Sequence, residues 1–240
     1  MTRAFAASLI DIRLTFSPED LGKLLQSNNL LGVPLGGYDL ERGLPDPTYA
    51  GLQAWLQSPK RACLFVDRDG VLIEDTGYPR DIGQVHFNPA VLPLLQWVKK
   101  RGWIVLVISN QAGIAKGIFE WTTLHAVNRH IAAYLSRHDA RPEKWYYCPY
   151  HPQGQIARYA KSSLLRKPSP GMILAAMHDY KIDIAKSFMI GDKDSDVITL
   201  AGLQSLLIKG KYPINPHRAP CFNRFEGMIE YLSSRGPSPI

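Results

Sequence analysis

Residues 61–70 read Arg-Ala-Cys-Leu-Phe-Val-Asp-Arg-Asp-Gly, an apolar run that ends abruptly in charged residues and glycine. A short apolar run between polar flanks predicts a strand that is buried on both faces. Further apolar runs follow along the chain and alternate with amphipathic stretches. The predicted strands are residues 62–66, 103–109, 145–148, 187–190 and 204–208. This alternation predicts an α/β fold with a doubly wound, Rossmann-like, mainly parallel sheet.

Helices are predicted between these strands. The first has Asn88 as its N-cap and Pro89 in its first turn, and it ends before Gly102. The second covers residues 122–137, where apolar residues recur at helical spacing. The third opens at residues 169–170, a Ser-Pro pair. Each helix would return the chain to the start of the next parallel strand.

The composition is that of a basic globular protein. The chain has 240 residues, with 28 lysines and arginines against 21 aspartates and glutamates, a net charge of +7. This charge favours anionic partners such as phosphorylated metabolites, nucleic acid or acidic lipid, and it is also found in proteins that are simply soluble. The three scattered cysteines exclude a disulfide framework. No apolar run approaches the ~20 residues that span a bilayer, and Asp11 and Arg13 interrupt the apolar start that a signal peptide needs. We therefore expect a cytoplasmic protein without a membrane partner.

The chain divides into three parts by its pattern. Residues 1–58 are predicted to form an extension of one strand and short helices, because apolar and polar residues alternate over residues 10–16. This part is too small to be an independent domain and is expected to pack on the core. Residues 59–232 form the main domain, and residues 233–240 are expected to form a flexible tail.

Polar residues follow the predicted strands at the points where the strands end. Carboxyl ends of parallel strands meet at one edge of the sheet, where ligands bind in open α/β folds. The side chains expected at this edge are Asp67, Asp69, Ser109, Asn110, Arg166, Lys167, Asp192 and Asp196. Carboxylates with a hydroxyl and a lysine suit a hard divalent cation and a phosphate group.

The order of these motifs over roughly residues 61–212 resembles the haloacid-dehalogenase-like (HAD) phosphatases. The resemblance implies that Asp67 is the nucleophile and forms an aspartyl-phosphate, while Asp69 is the general acid and then the general base. Ser109 would bind the phosphoryl oxygens, and Lys167 would balance their charge. Covalent catalysis of this kind divides one difficult displacement into two easier ones.

The same resemblance implies a magnesium site. Its ligands would be the Asp67 carboxylate, the Asp69 carbonyl and the Asp192 carboxylate. Asp196 would support these ligands without ligating the metal itself. A hard cation removes the repulsion between an attacking carboxylate and an anionic phosphate. We therefore expect Mg²⁺ as the cofactor.

Two longer stretches resemble the D,D-heptose 1,7-bisphosphate phosphatase branch, of which histidinol-phosphate phosphatases are close relatives. They are Ser-Asn-Gln-Ala-Gly-Ile-Ala-Lys-Gly at residues 109–117 and Tyr-Cys-Pro-Tyr-His-Pro-Gln-Gly at residues 147–154. The resemblance implies a small phosphorylated sugar as substrate, with removal of the 7-phosphate of D-glycero-D-manno-heptose 1,7-bisphosphate. Asn110, Arg166 and Lys167 would bind the substrate, and Arg80 and Lys116 are further candidates.

One segment departs from that branch, which normally carries a zinc loop of three cysteines and a histidine. Cys148 is retained, but Tyr150, Ser163 and Leu165 occupy the other ligand positions, although His151 is adjacent. Leucine cannot ligate zinc, and a structural zinc site needs four cysteine or histidine ligands. Zinc is therefore not expected.

Other functions remain open on the sequence. The connections at residues 70–87 and 148–167 are too short for a large cap domain, so the site is expected to be open. An open basic site also suits a polynucleotide 3′-phosphatase, although no aromatic-interleaved basic groove accompanies the motifs. A binding or scaffold protein with an inactive HAD fold is the non-enzymatic alternative, but idle acids at one edge would repel one another. Either a monomer or a homodimer is compatible with the sequence.

Overall fold

A computed structural model of the protein describes residues 59–235, and its strands form one sheet. The predicted N-terminal extension therefore lies outside the described residues. The strands are β1 (Cys63–Val66), β2 (Ile104–Asn110), β3 (Lys144–Cys148), β4 (Phe188–Gly191), β5 (Gln204–Ile208) and β6 (Cys221–Phe222). Their order is β3-β2-β1-β4-β5-β6, and every neighbouring pair is parallel. The predicted doubly wound α/β fold is confirmed.

Four α-helices cover the two faces of this sheet in the described part of the chain: α1 (Leu92–Lys100), α2 (Trp121–Arg137), α3 (Gly171–Asp179) and α4 (Phe225–Arg235). Successive side chains of a strand point to opposite faces. In β1, Leu64 and Val66 pack in the apolar cluster that α1, α2 and α4 share, whereas Cys63 and Phe65 pack in the cluster under α3. Within residues 59–235, no helix has the length and apolar character needed to cross a membrane.

Three local features differ from the sequence-based expectations. Asn88 stands at the predicted N-cap position, before a 3₁₀ turn (Pro89–Val91) that leads into α1, but its side chain makes no capping hydrogen bond, because its amide instead donates to the carbonyl of Val71 at 3.0 Å. Strand β6 is too short for its periodicity to be recognised, and it is a strand because it pairs with the end of β5. Helix α4 continues past Ser233, where the tail was predicted to begin. Its buried residues Phe225, Met228 and Leu232 have helical spacing, so the signal was present in the sequence.

Candidate active site

The predicted site residues meet at the carboxyl edge of the sheet. Strands β1, β2 and β4 lie side by side, so the residues that end or follow them are brought together. The loop before α3 adds a lysine to this group. The predicted residues that the structure buries at this edge are Asp67, Ser109, Lys167, Asp192 and Asp196.

A buried lysine connects two of the carboxylates. Lys167 Nζ lies 2.9 Å from Asp67 Oδ1 and 2.6 Å from Asp196 Oδ1, and all three side chains are almost fully buried. Burial alone would lower the pKa of Lys167, but Asp196 and Asp67 raise it above its usual value. Lys167 therefore remains a cation, and it neutralises part of the charge on the predicted nucleophile.

The Asp192 carboxylate is buried without a matching donor. Neither of its oxygens has a hydrogen-bond partner among the described residues, and Lys193 Nζ is 3.7 Å from Oδ1. Burial raises the pKa of Asp192 to about 7, Lys193 opposes this effect, and the nearby Asp67 adds to it. A buried carboxylate without donors is unfavourable unless a cation or a proton accompanies it. This orphaned carboxylate marks a position for a cation.

The arrangement of the acids fits a divalent metal ion. Ligand oxygens of Asp67, Asp192 and Asp196 all lie within 4.8 Å of one another. Asp196 is already engaged by Lys167 and by the backbone N–H of Lys193, at 3.1 Å. Asp192 is not engaged in this way, which leaves it free to ligate. An all-oxygen donor set of this kind suits Mg²⁺.

Gly70 allows the loop after β1 to approach Asp192 closely. Its φ angle is +88°, a conformation that glycine adopts at little cost. A Cβ atom built at this position would lie 2.1 Å from Asp192 Oδ2, so any side chain would displace the carboxylate. The glycine of the Asp-Arg-Asp-Gly motif is therefore required by the close approach of the loop after β1 to Asp192.

Donors that the sequence reasoning missed surround the Asp69 carboxylate. Arg68 donates to it from Nε at 3.1 Å and from Nη2 at 2.8 Å. Gln111 Nε2 lies 3.0 Å from Asp69 Oδ2 and 2.8 Å from Ser109 Oγ, so it connects two predicted catalytic residues. Both residues stand inside the quoted motifs, but only the folded geometry shows which groups they contact. Burial raises the pKa of Asp69, Arg68 opposes this effect, and Asp67 adds to it.

Asn110 holds the segment that carries the lysine. Its Oδ1 accepts from the backbone N–H of Lys167 at 3.0 Å, and its Nδ2 donates to the backbone carbonyl of Lys167 at 3.2 Å. The predicted substrate-binding role of Asn110 remains a prediction. The structure adds a positioning contact, because this pair of hydrogen bonds fixes the main chain at Lys167.

A cleft of about 220 Å³ opens onto these residues. It is lined by Asp67, Asp69, Asp75, Gly77, Tyr78, Asn110, Ala112, Arg166, Lys167, Lys193, Ser195 and Tyr212. Arg166 lines this cleft, and its predicted contact with the substrate remains a prediction. Lys116 reaches the cleft only through a hydrogen bond of 2.9 Å to the Tyr78 hydroxyl. The other candidate, Arg80, is not among the lining residues.

Lys193 is a third cation in the lining of the cleft, and the sequence reasoning assigned it no role. Its ammonium group pairs with the carboxylate of Asp75 and lies 4.7 Å from the centre of the Tyr212 ring. Burial alone would lower the pKa of Lys193, but the hydrogen bond that its ammonium group donates to the Asp75 carboxylate raises this pKa well above its usual range. Asp75 belongs to the loop after β1 and lies far from Lys193 in sequence, so only the fold reveals this pair.

The segment that resembles a zinc loop is held together by apolar packing. Tyr150 and Leu165 are buried in the cluster under α3, with 5% and 1% of their surface exposed. The rings of Tyr150 and Tyr159 lie 6.0 Å apart, and Trp121 Nε1 donates to the Tyr159 hydroxyl at 2.8 Å. Burial raises the pKa of Cys148 to about 11, so this thiol is neutral at pH 7. At Tyr150 and Leu165, two of the positions compared above with zinc ligands, the side chains are therefore packed in the apolar core.

The sequence is similar to curated heptose bisphosphate phosphatases. D-glycero-alpha-D-manno-heptose-1,7-bisphosphate 7-phosphatase from Burkholderia mallei is 38% identical over 138 residues, which are 58% of this chain and 73% of the relative. D-glycero-beta-D-manno-heptose-1,7-bisphosphate 7-phosphatase from Escherichia coli K12 is 36% identical over 157 residues, 64% of this chain and 82% of the relative. The HAD-hydrolase-like family model matches residues 164–216.

Solved structures share the fold. A HAD-like phosphatase from Mesorhizobium loti is 30% identical with a TM-score of 0.68, and the match covers 76% of this chain and 91% of that one. D,D-heptose 1,7-bisphosphate phosphatase from B. bronchiseptica, solved with magnesium and phosphate, is 22% identical with a TM-score of 0.61. That match covers 73% of this chain and 99% of the other. At this identity the second likeness shows the common fold alone.

Proposed function

The chain belongs to the heptose bisphosphate phosphatase family of HAD-like hydrolases, and on that premise we propose that it removes the 7-phosphate of D-glycero-D-manno-heptose 1,7-bisphosphate through an aspartyl-phosphate. The observation that carries this proposal is the buried cluster of Asp67, Asp192 and Asp196 with Lys167 between two of its members. This cluster supports the proposal, because a nucleophile, a cation site and a fixed positive charge around one phosphoryl group are what the reaction requires.

The proposed reaction has two displacements at phosphorus. An Asp67 oxygen attacks, the bond from phosphorus to the sugar oxygen breaks, and the leaving oxygen takes a proton from Asp69. Asp69 then takes a proton from the attacking water, and the bond between phosphorus and Asp67 breaks to release phosphate. Lys167 and Ser109 stabilise the charge on the transferring group.

We propose that Mg²⁺ is held by the carboxylates of Asp67 and Asp192 and by the carbonyl of Asp69, with Asp196 fixing Lys167 behind them. When bound, Mg²⁺ would remove the repulsion between the carboxylate and the phosphate. Five acids at this site, Asp67, Asp69, Asp75, Asp192 and Asp196, face four cations, Arg68, Arg166, Lys167 and Lys193. The excess of buried acids over cations favours the binding of a further cation.

A substrate panel tests the proposal. The phosphate released from both anomers of the heptose bisphosphate is compared with that from histidinol phosphate and from a 3′-phosphorylated oligonucleotide. We expect the heptose bisphosphate to have the highest kcat/KM, and both anomers are needed because one relative is named for each. Faster hydrolysis of the oligonucleotide would support a polynucleotide 3′-phosphatase instead. If none of these substrates released phosphate, the result would support a binding protein without catalytic activity.

Substitution of Arg166 is expected to separate substrate recognition from chemistry. Arg166 lines the cleft, and its guanidinium is a fork suited to a second anionic or hydroxyl-rich part of the ligand. Arg166→Ala should lower kcat/KM for the bisphosphate by about 10- to 100-fold, but much less for p-nitrophenyl phosphate, which has no remote group. Arg158→Ala in the same segment is the matched control, because Arg158 packs on Tyr159 outside the cleft. Equal losses on both substrates would place Arg166 at the transferring phosphoryl group.

The pKa of Asp192 predicts how pH affects Mg²⁺ binding. This pKa is about 7 in the folded protein and 3.8 in the reference state, so the metal-free protein should lose stability as pH rises from 4 to 7. Mg²⁺ binds the ionised carboxylate, so its apparent Kd should fall by about tenfold between pH 6 and pH 8. Thermal unfolding with and without Mg²⁺ across this range measures the effect. An Mg²⁺-induced shift that is the same at every pH, or that persists in Asp192→Asn, would contradict the prediction.

Metal analysis should find no stoichiometric zinc in the purified protein. Tyr150 and Leu165 are buried among apolar side chains, which cannot ligate zinc. Chelation should therefore abolish activity through loss of Mg²⁺ while the far-UV circular dichroism stays unchanged, and Mg²⁺ alone should restore the activity. One tightly bound zinc per chain, or unfolding by the chelator, would contradict this expectation and would point to His151 as a ligand.

A further inference from the structure

The second residue of the Asp-Arg-Asp-Gly motif is a buried arginine. Arg68 is 1% exposed and is the largest fully buried side chain among the described residues. A buried guanidinium is costly unless its N–H groups are paired. Its Nε and Nη2 face Asp69, at 3.1 Å and 2.8 Å from Oδ1. Nη1 points the other way and donates to Asn128 Oδ1 at 3.1 Å.

Asn128 is the polar member of an otherwise apolar stripe. The buried residues of α2 are Leu124, Val127, Asn128, Ile131 and Leu135. An amide at such a position is unfavourable unless it makes a hydrogen bond that the fold requires. Its Oδ1 accepts from Arg68, so α2 is joined to the Asp69 carboxylate through the guanidinium, and its side chain also interacts with the Tyr147 hydroxyl.

This connection constrains the proposed proton donor. Gln111 holds Asp69 Oδ2 from the side of Ser109. The Arg68 guanidinium holds Oδ1 through Nε and Nη2, and its Nε also lies 3.2 Å from Oδ2. A general acid must be oriented towards the leaving oxygen, and small misplacements of a reacting group are costly in rate. Without Asn128, the guanidinium would lose the contact that sets its position relative to α2.

We propose that Arg68, held in place by Asn128 on α2, is a positioning residue that orients the Asp69 carboxyl for proton transfer to the leaving group. This inference rests on the proposed function, since it needs Asp69 to be the general acid. It assigns no contact between Arg68 and the substrate. The proposal implies that Asn128, which contacts Arg68 and not Asp69, affects only those reactions in which the leaving group needs a proton from Asp69.

Leaving-group dependence tests the proposal. A sugar oxygen needs a proton to depart, whereas p-nitrophenolate leaves as a stable anion. When loss of the leaving group is irreversible, kcat/KM depends only on the steps up to and including that loss. The later role of Asp69 as a base therefore does not affect kcat/KM. Asn128→Leu should lower kcat/KM for the heptose bisphosphate by about 10- to 100-fold. The same variant should lower kcat/KM for p-nitrophenyl phosphate by less than about threefold.

Two further variants make the result decisive. Asn128→Asp keeps an acceptor for Arg68 and should stay within about threefold of wild type on both substrates. Val127→Ala on the same helix loosens the core without touching the arginine, and should lower the melting temperature while leaving the ratio of the two substrates unchanged. Equal losses on both substrates in Asn128→Leu, or no loss on either, would overturn the proposal. A wild-type protein that hydrolyses p-nitrophenyl phosphate but no sugar phosphate would refute the proposed substrate and not the role of Arg68. The leaving-group comparison would then be made between an alkyl phosphate and p-nitrophenyl phosphate.

Discussion

Asp67→Asn is expected to abolish turnover, with kcat lower by about 10⁴-fold or more for every phosphate ester. An amide has nearly the shape of a carboxylate, but it is not a nucleophile towards phosphorus and carries no charge for a cation. The fold should persist, because Lys167 keeps its ion pair of 2.6 Å with Asp196. Steady-state rates with Mg²⁺ and thermal unfolding measure the two parts of the expectation.

A buried aspartate elsewhere in the chain is the matched control. Asp179 accepts from the Tyr146 hydroxyl at 2.6 Å and pairs with Lys144 at 2.8 Å, and its side chain is 5% exposed. Asp179→Asn should therefore lower stability and leave kcat nearly unchanged. Acid-quenched wild-type enzyme should retain phosphate on Asp67, whereas Asp67→Asn should retain none. Near-normal turnover in Asp67→Asn would exclude the aspartyl-phosphate.

Lys167→Met is expected to damage stability and catalysis together. Its Nζ contacts two buried carboxylates, at 2.9 Å from Asp67 and 2.6 Å from Asp196. Removing one partner of a buried ion pair costs about 3–5 kcal/mol, because the remaining charges have no compensation. Loss of the charge near the phosphoryl group should lower kcat by about 10²- to 10³-fold. Urea denaturation and steady-state kinetics measure the two effects.

Two comparisons identify the cause. The double variant Lys167→Met/Asp196→Asn should recover part of the lost stability, because it removes an uncompensated buried charge, but it should recover no activity. Lys144→Met, which breaks the pair with Asp179 away from the cleft, should lower stability and leave kcat nearly unchanged. If Lys167→Met were as stable as wild type, the two ion pairs would contribute nothing to the fold.

The alternation of strands and helices and the order of the polar motifs could be recognised without coordinates. Both are local properties, since burial on two faces makes a parallel strand apolar throughout. The edge at which Asp67, Ser109 and Asp192 meet then follows from the parallel arrangement alone. Local pattern was insufficient for β6, whose two residues become a strand only by pairing with β5.

The contacts of these residues could not be inferred in the same way. Lys193 pairs with Asp75, Gln111 connects Ser109 to Asp69, and Arg68 reaches Asn128 on α2. The contacts from Lys193 to Asp75, from Gln111 to Asp69 and from Arg68 to Asn128 join positions that are far apart in sequence, so their distances depend on the tertiary fold.

The sequence alone therefore established the fold class and the set of reactive residue types at one edge of the sheet. Tertiary structure decided which acid is neutralised by a lysine, which acid remains without a donor, and which side chains orient the proton donor. The physical reason is that a strand buried on both faces is apolar along its whole length, which is a local property of the chain. The charge balance of a buried site, in contrast, depends on distances of a few ångströms between groups that are remote in sequence.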